Sequence, residues 1–249
     1  NSGNVYAAGY INGSGQFSFG NGVTATGAFT DSTYSEFSHN IVLVKYNTSG
    51  TAQWAKTVIT GQNESFFNAL EIDISGNIYA AGCINGRNPY SFGNSVSVTG
   101  AYSASNILLV KYNSSGTAQW AQSAISGSNE SGLYSVSVDN SGNVYAGGFI
   151  EGSLPYSFGN NVTATGTYSG DNNIILLKYS SSGSAQWAQT VSAGTHESTY
   201  NSIAIDKSGS IYAAGYIIGN GQFSFGNTIT ATGDSKWKKI ILVKYNSSG

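Results

Sequence analysis

The stretch NVYAAGYI, from Asn4 to Ile11, decides the fold because close copies of it return three more times along the chain. The copies read NIYAAGCI, NVYAGGFI and SIYAAGYI and begin at Asn77, Asn143 and Ser210. Each copy is followed by an apolar run that ends in Lys-Tyr, with the lysines at positions 45, 111, 178 and 244, so the spacing is 66, 67 and 66 residues. A fixed period of this length predicts a tandem array of supersecondary units.

Each repeat contains four segments that are predicted to be strands, and the third repeat shows them clearly. They are short, rich in Val, Ile and Tyr, and bounded by Gly, Asn, Ser or Asp, which is typical of strands joined by tight turns. No segment has the hydrophobic period of a helix. The predicted strands of this repeat, a to d in chain order, cover residues 134–139, 143–150, 173–179 and 185–191.

The residue pattern within these strands predicts how the sheets pack. Strand c is apolar on both faces, so we expect each small sheet to be covered on both sides by its neighbours. Strand a alternates Val136 and Val138 with small residues, as expected where sheets converge on a central axis. These features predict an all-β chain that forms a β-propeller with four-stranded antiparallel blades. The competing interpretation is a β-solenoid or an array of sandwiches, although the rungs of a solenoid are usually shorter.

The repeat boundaries leave the predicted ring open. The units cover approximately residues 1–65, 66–131, 132–198 and 199–249, so the first lacks strand a and the last lacks strand d. The chain also has no methionine. We therefore expect a single propeller domain, or a fragment of a larger ring, that is completed by flanking sequence or by another chain.

The repeats resemble a known family in the order of three motifs. These are V-D-x-S-G-N-V-Y-A-A-G, then F-G-N, then L-V-K-Y-N-S-S-G-T-A-Q-W-A. Over the whole chain this order is similar to the bacterial SBBP-type β-propeller repeat and, more distantly, to the NHL repeat. The resemblance implies four-stranded blades, a secreted or envelope-associated bacterial protein, and no shared set of catalytic residues.

The composition argues against two classes of function. The chain has 10 Lys and Arg residues against 12 Asp and Glu residues, a net charge of -2, and Arg87 as its only arginine, so it lacks the basic surface that nucleic acids require. Its longest purely aliphatic runs, such as 174–177 and 240–243, are far shorter than the roughly 18 residues of a membrane-spanning helix. We therefore expect neither a nucleic-acid partner nor a membrane-spanning segment.

An aspartate stands three residues before a glycine in the turn between strands a and b. The segments DISGN, DNSGN and DKSGS contain Asp73, Asp139 and Asp206. A calcium loop of the EF-hand type would need a glutamate at its twelfth position, where these segments are followed by isoleucine. A tight turn stabilised by the aspartate is the favoured interpretation, and we expect neither a metal nor a cofactor.

Two sets of charged residues recur once per repeat. The lysines that end strand c are interpreted as structural residues that are paired or extend to solvent. Glu64, Glu130 and Glu197, between strands d and a, are predicted to gather near the axial opening, on the same side as the connection between strands b and c. They either pair with lysine or backbone groups or form a site for a cation or a sugar.

The connection between strands b and c carries the aromatic candidates for a binding site. Phe29, Tyr102 and Tyr168 occupy equivalent positions in the first three repeats and are expected to be exposed. The longer connection of the first repeat adds Tyr34 and Phe37. Exposed aromatic rings among Asn, Ser and Gly suit stacking on a sugar or contact with a protein.

The fourth repeat departs from this pattern. Its connection reads TGDSKWKK, which places Trp237 among Lys236, Lys238 and Lys239. The tryptophans of strand d recur at the repeat spacing and are expected to pack between neighbouring sheets, whereas Trp237 does not recur. A large flat ring among lysines suits contact with a glycan or an anionic surface.

Catalysis has weak support in the sequence. His39 and His196 are the only histidines, they stand at different positions of different repeats, and no serine or cysteine is recognisably placed beside either. Cys83, the only cysteine, takes a position where the other repeats have an aromatic residue. We therefore expect that the chain is not an enzyme.

The features together predict a non-catalytic binding or adhesion scaffold, extracellular or in the bacterial cell envelope, whose partner is a protein or glycan surface. A carbohydrate-binding, lectin-like propeller is one alternative, and a purely structural element of a repeat array is another. The residues expected to contribute to binding are Trp237, Tyr102, Tyr168, Phe29, Glu64, Glu130 and Glu197.

Overall fold

The computed structural model describes residues 3–33 and 38–249. Within these ranges every helix or strand element is a β-strand, so the prediction of an all-β chain is confirmed. The strands form several small antiparallel sheets. The chain divides into two compact units, Asn1–Ser123 and Ala124–Gly249, and each is described by itself.

The first unit is built from two main sheets and two short hairpins. Its strands are β1 (Val5–Asn12), β2 (Gln16–Ser18), β3 (Thr24–Thr26), β4 (His39–Tyr46), β5 (Ala52–Lys56), β6 (Ser65–Ile72), β7 (Ile78–Asn85), β8 (Pro89–Gly93), β9 (Val96–Thr99), β10 (Ser105–Tyr112) and β11 (Ala118–Gln122). Sheet I has the order β1-β4-β5 and sheet II the order β6-β7-β10-β11. The hairpins are β2-β3 and β8-β9.

The second unit repeats this plan. Its strands are β12 (Ser131–Val138), β13 (Val144–Glu151), β14 (Pro155–Gly159), β15 (Val162–Thr165), β16 (Asn172–Tyr179), β17 (Ala185–Gln189), β18 (Ser198–Ile205), β19 (Ile211–Gly219), β20 (Gln222–Ser224), β21 (Thr230–Thr232) and β22 (Ser235–Tyr245). Sheet III has the order β12-β13-β16-β17 and sheet IV the order β18-β19-β22. The hairpins are β14-β15 and β20-β21.

The main sheets are made from the segments that the sequence predicts as strands. In sheet III, β12, β13, β16 and β17 correspond to the predicted strands a, b, c and d, and their ends differ from the predicted ends by at most three residues. The strands lie side by side in that order. Among the described residues, sheet I has no strand in position a and sheet IV has none in position d.

The connection between strands b and c contains a short hairpin, which was not among the predicted strands. At its turn in the second repeat, Asn94 and Ser95 have φ angles of 54° and 59°, which a two-residue type I′ turn requires. The Nδ2 of Asn94 donates a hydrogen bond of 2.9 Å to the carbonyl oxygen of Ala118. Asn160 makes the same bond to Ala185 in the third repeat. Each of these hairpins is therefore fixed against the start of strand d in its own repeat.

The two faces of each main sheet are distinguished by alternate residues of strand c. The front face carries the first and third residues of its apolar run, and the back face carries the second and fourth. In sheet I these are Ile41 and Leu43 in front and Val42 and Val44 at the back. In sheet IV they are Ile240 and Leu242 in front and Ile241 and Val243 at the back.

Within each unit, the front face of one sheet packs against the back face of the next. Ile41 and Leu43 of sheet I share a core with Leu108 and Val110 of sheet II. The core of the second unit joins the front face of sheet III to the back face of sheet IV through Ile174, Leu176, Ile211, Ala213, Ile241 and Val243. Because these side chains are almost fully buried, each Ile, Leu or Val contributes about 1.5 to 3 kcal/mol to folding.

A lysine, a tyrosine and a tryptophan meet at the edge of the first core. The Nζ of Lys45 lies 5.5 Å from the centre of the Tyr6 ring, which lies 6.0 Å from the ring of Trp54. Lys45 also donates a hydrogen bond of 3.2 Å to the carbonyl oxygen of Ser114 in the next repeat. The lysine is thus structural, as predicted, and its partners are a ring and a carbonyl group. Trp54 packs on the core between sheets I and II, which confirms its predicted place.

Candidate functional site

Glu64 lies at the end of sheet II from which the connection between strands b and c leaves, as the sequence predicts. Its backbone carbonyl accepts a hydrogen bond from the N–H of Asn85 at 2.9 Å, and its Oε2 accepts one from Nδ2 of the same residue at 3.1 Å. Its Oε1 is buried, accepts no well-aligned hydrogen bond from the described residues, and lies 3.0 Å from Nδ1 of His39. Glu64 is therefore held by His39 of its own repeat and by Asn85 of the following one.

Glu130 and Glu197 have partners of a different kind. The N–H of Glu130 donates a hydrogen bond of 3.3 Å to Oε2 of Glu151. Burial, and then the nearby carboxylate of Glu151, raise the pKa of Glu130 above its usual 4.5. Glu197 accepts a hydrogen bond from the hydroxyl group of Tyr216. Among the residues that the structure describes, no group of three His, Cys, Asp or Glu side chains could hold a metal ion.

The aspartate of the turn between strands a and b is satisfied by the turn itself. Oδ1 of Asp73 accepts hydrogen bonds of 2.9 Å from the N–H groups of Ser75 and Asn77, and Oδ2 accepts one of 3.1 Å from the hydroxyl of Tyr79. Gly76 has a φ of 80°, a conformation that favours glycine. Burial alone would raise the pKa of Asp73, but the hydrogen bonds outweigh it and lower the pKa below 3.8. The tight-turn interpretation is confirmed.

The three equivalent aromatic residues are less exposed than the sequence analysis expects. Phe29, Tyr102 and Tyr168 are all partly buried. The ring of Tyr168 stacks on the ring of His196 with their centres 6.0 Å apart. Tyr34 and Phe37 lie outside the described residues. The connections of the first three repeats therefore offer rings that are in part already covered.

A buried asparagine at the start of strand c holds each of these aromatic residues. Oδ1 of Asn106 accepts a hydrogen bond of 2.7 Å from the N–H of Tyr102, and its Nδ2 donates one of 2.9 Å to the carbonyl oxygen of the same residue. Asn40 and Asn173 make the same pair of bonds to their own aromatic residues. All three asparagines are at most 1% exposed. These asparagines are not among the residues predicted to matter, although each recurs just before the apolar run of strand c.

In the fourth repeat a lysine replaces this asparagine. Lys239 stands at the position of Asn173, and its Nζ lies 2.8 Å from Oδ1 of Asp234 in a surface ion pair. The chain continues as a strand instead of a braced loop, because β22 begins at Ser235 and pairs there with Gly219. The last part of the connection, which is a braced loop in the other repeats, is therefore an extension of strand c in this one.

The extended end of β22 presents Trp237 to solvent. The residue is 73% exposed, and Lys236 and Lys238 on either side of it are exposed as well. The Nζ of Lys238 lies 3.9 Å from the centre of the Tyr216 ring, a cation–π contact that holds this lysine against the sheet. Basic charge is concentrated on this strand, although the net charge of the chain is -2. The lysines of β22 are Lys236, Lys238, Lys239 and Lys244.

The residues considered for catalysis are each engaged within the fold. The ring centre of His39 lies 4.1 Å from that of Tyr10. Nδ1 of His196 lies 2.9 Å from the hydroxyl oxygen of Thr195. Cys83 is buried in β7. These contacts account for the three residues as parts of the structure.

The comparisons with known proteins do not assign a family to this site. No protein-family model matches the chain, and a search of curated proteins finds no match. In the described part of the chain there is no helix with the length and apolar character needed to cross a membrane. The functional interpretation therefore follows from the geometry of β22 and its neighbours.

Proposed function

We propose that the chain is a non-catalytic β-propeller scaffold, secreted or attached to the bacterial cell envelope, that binds an anionic protein or glycan surface through the exposed end of β22. The observation that carries this proposal is the 73% exposure of Trp237 on a strand extension between two exposed lysines. Phe29, Tyr102 and Tyr168 are partly buried, and we assign them and the three glutamates a supporting role.

Two features support the propeller arrangement. In each unit the front face of one sheet packs on the back face of the next, which is the packing expected between neighbouring blades. Where all four strands are present, a to d lie side by side in chain order, as in a blade that runs from the axis outward. The resemblance to the SBBP-type repeat supports the same arrangement and the extracellular location.

The support for binding lies in the cost of exposing a tryptophan. Lysines on an edge strand have a structural explanation, because they hinder pairing with the edges of other sheets. That explanation does not cover Trp237, since an exposed indole keeps a large apolar surface in water. Tryptophan is among the residues that most often dominate binding energy, and Trp237 lies on a strand, β22. A binding role accounts for the tryptophan and the lysines together.

A carbohydrate ligand is the second candidate, and the flat face of the exposed indole favours it. The C–H groups of a sugar ring stack on aromatic faces, and the polar edge of the indole can donate a hydrogen bond. A polysaccharide of uronic acids would combine a stacking ring with carboxylates for Lys236 and Lys238. The lectin-like function and the general anionic surface thus differ in whether a sugar ring is required.

The experiment measures binding by surface plasmon resonance to three immobilised probes: alginate, which is an acidic polysaccharide; dextran, which is neutral; and polyglutamate, which is an acidic peptide. We expect Trp237→Ala to weaken binding to alginate at least tenfold, and Lys236→Ala with Lys238→Ala to weaken it and reduce its dependence on salt. The matched control is Asn140→Ala, an exposed residue in the turn between strands a and b.

The outcomes separate the candidates. Binding to alginate alone supports the lectin-like function, and equal binding to alginate and polyglutamate supports recognition of negative charge. If the chain binds none of the three probes, the anionic partner is wrong. If Asn140→Ala weakens binding and Trp237→Ala does not, with both variants folded, the binding face has been assigned to the wrong end of the sheets.

A further inference from the structure

The front face of sheet IV exposes residues that are buried at the equivalent positions of the other three sheets. Ile240 is 93% exposed and Leu242 is 69% exposed. Their equivalents have no exposed surface in any of the other sheets. These equivalents are Ile41, Leu43, Ile107, Leu109, Ile174 and Leu176. An apolar face of this kind marks an interaction surface.

The back face of sheet I shows the complementary feature. Val5 is 57% exposed, Ala7 is exposed, and Phe17 of the adjoining hairpin is 36% exposed. The equivalent residues of the other three repeats are at most 1% exposed. These are Ile78, Ala80, Tyr90, Val144, Ala146, Tyr156, Ile211, Ala213 and Phe223. The front face of sheet IV is therefore uncovered at Ile240 and Leu242. The back face of sheet I is uncovered in part, at Val5, Ala7 and Phe17, whereas Val42 and Val44 on the same face are buried.

The two cores of the chain show what a front face packs against. In both units, the residues equivalent to Ile240 and Leu242 lie in one cluster with the residues equivalent to Val5 and Ala7. The uncovered faces thus consist of the same positions that already pack on each other twice within the chain. Because equivalent residues pack together in both cores, the uncovered residues of sheets I and IV are expected to fit each other in shape and polarity.

A hydrogen bond from a lysine side chain to a backbone carbonyl group crosses both internal interfaces. Lys45 donates a hydrogen bond to the carbonyl oxygen of Ser114, and Lys178 donates one of 3.0 Å to that of Ser247. In each case the lysine ends strand c and the carbonyl belongs to the turn after strand c of the next repeat. Lys244 is the equivalent lysine on sheet IV and is exposed. Thr48 is the residue equivalent to Ser114 and Ser247, in the turn after strand c of sheet I.

We propose that the front face of sheet IV docks on the back face of sheet I of a second copy of this chain. Ile240 and Leu242 pack on Val5 and Ala7 of the second copy, and Lys244 donates a hydrogen bond to its Thr48 carbonyl. Since two different faces meet, the contact is head to tail, and successive copies form either an open fibre or a closed ring. The interface does not include Trp237, although Lys238 of the proposed binding site adjoins it, because the Nζ of Lys238 lies over the ring of Tyr216, which pairs with Ile240.

The strength of this interface follows from the strands that take part. In the internal interface of the first unit, sheet II presents four strands, including β6, to the front face of sheet I. In the proposed interface, sheet I presents only three strands to the front face of sheet IV. Fewer residues therefore meet than in the internal interfaces. We expect association that is reversible and depends on protein concentration.

The test is sedimentation equilibrium of the chain from micromolar to millimolar concentration. Leu242→Glu places a charge on the front face of sheet IV, and Val5→Glu places one on the back face of sheet I. Both side chains are exposed in the single copy, so neither substitution should disturb the fold. We expect each substitution to lower the association constant at least tenfold and Lys244→Ala to lower it about threefold, as loss of one hydrogen bond predicts. The matched control is Ile74→Glu, in the turn between strands a and b, where the isoleucine is exposed.

Mixing the two face variants gives the sharpest result. Neither variant should form multimers alone, but an equal mixture should form dimers, because one intact front face then meets one intact back face. A parent chain that stays monomeric at all concentrations overturns the proposal. So does a Val5→Glu variant that associates like the parent, which would indicate that two front faces meet, or an Ile74→Glu variant that loses association.

Discussion

The hydroxyl groups of Tyr200 and Tyr245 lie 2.7 Å apart and form a hydrogen bond inside the core of the second unit. Burial raises the pKa of Tyr245 to about 12, so the pair keeps its protons through neutral pH. The tyrosines at the position of Tyr245 in the second and third repeats are Tyr112 and Tyr179. Their hydroxyl groups are buried and have no hydrogen-bond partner among the described residues.

This difference predicts opposite effects for the same substitution. Tyr112→Phe and Tyr179→Phe remove a buried hydroxyl group without a partner and should raise the free energy of unfolding by about 1 kcal/mol. Tyr245→Phe leaves the hydroxyl of Tyr200 without its partner and should lower it by about 1 to 2 kcal/mol. Urea denaturation of the three variants measures the effects. A loss of stability in Tyr112→Phe similar to that in Tyr245→Phe would contradict the assignment of the unpaired hydroxyl groups.

The buried asparagine of the second repeat should be more important for stability than its replacement in the fourth. Asn106→Ala leaves the N–H and the carbonyl group of Tyr102 without their side-chain partner and should cost about 3 kcal/mol. Lys239→Ala removes only a surface ion pair and should cost less than about 1 kcal/mol. Thermal unfolding followed by circular dichroism compares them. Equal losses in both variants would show that Asn106 does not brace the connection.

The glycine in the turn after strand c tests the packing of the recurring tryptophan. A Cβ atom at Gly116 would lie 3.1 Å from the indole of Trp54 and 2.7 Å from the side chain of Lys56, with a φ of 77°. Gly50 is the matched control, because it has a φ of 76° and no atom within 4 Å of the same position. Gly50→Ala should cost about 1 kcal/mol for the backbone conformation alone, and Gly116→Ala about 2 kcal/mol more. Equal costs, measured by urea denaturation, would rule out the contact with Trp54.

Replacement of Glu151, which lies near Glu130, should stabilise the fold at neutral pH but not at low pH. The pKa of Glu130 is raised in the folded state, so its ionised carboxylate lowers the free energy of unfolding. This loss is absent at low pH, where the carboxyl group is protonated in the folded and the unfolded state, and it is complete at neutral pH. Glu151→Gln should therefore raise the free energy of unfolding at pH 7, by less than about 1 kcal/mol because the group is partly open to water. At a pH below 4 the variant should match the parent. Glu71→Gln, on the exposed side of β6, serves as the control in the same measurements.

The strands and tight turns could be predicted from the sequence because they depend on nearby residues. The segments 134–139 and 143–150 are short, rich in Val, Ile and Tyr and bounded by turn residues, and the observed β12 and β13 begin and end within three residues of them. The turn at Asp73 depends on a carboxylate that reaches N–H groups two and four residues later. The hairpin turn at Asn94 and Ser95 was equally local, since an Asn-rich dipeptide after Phe-Gly is a signal for it.

The candidate site could be predicted only in part. Trp237 stood out because it breaks the repeat, and its exposure agrees with that reasoning. Phe29, Tyr102 and Tyr168 were expected to be exposed, but their connections fold back on asparagines four to eleven residues away. Whether a side chain is covered depends on what the chain brings to it from a distance, and the residue type alone does not specify this.

The sequence by itself determined that the chain is all-β, that it consists of four similar units, and where their strands and turns lie, because period and turn chemistry act over a few residues. The tertiary structure decided which groups are paired and which are exposed. It joined Tyr200 to Tyr245 across 45 residues and Lys45 to Ser114 across 69. It also left Ile240 in water, although Ile41, Ile107 and Ile174 have the same sequence context and are buried. The physical reason is that burial is a property of the opposing surface, which the local sequence of a repeat does not contain.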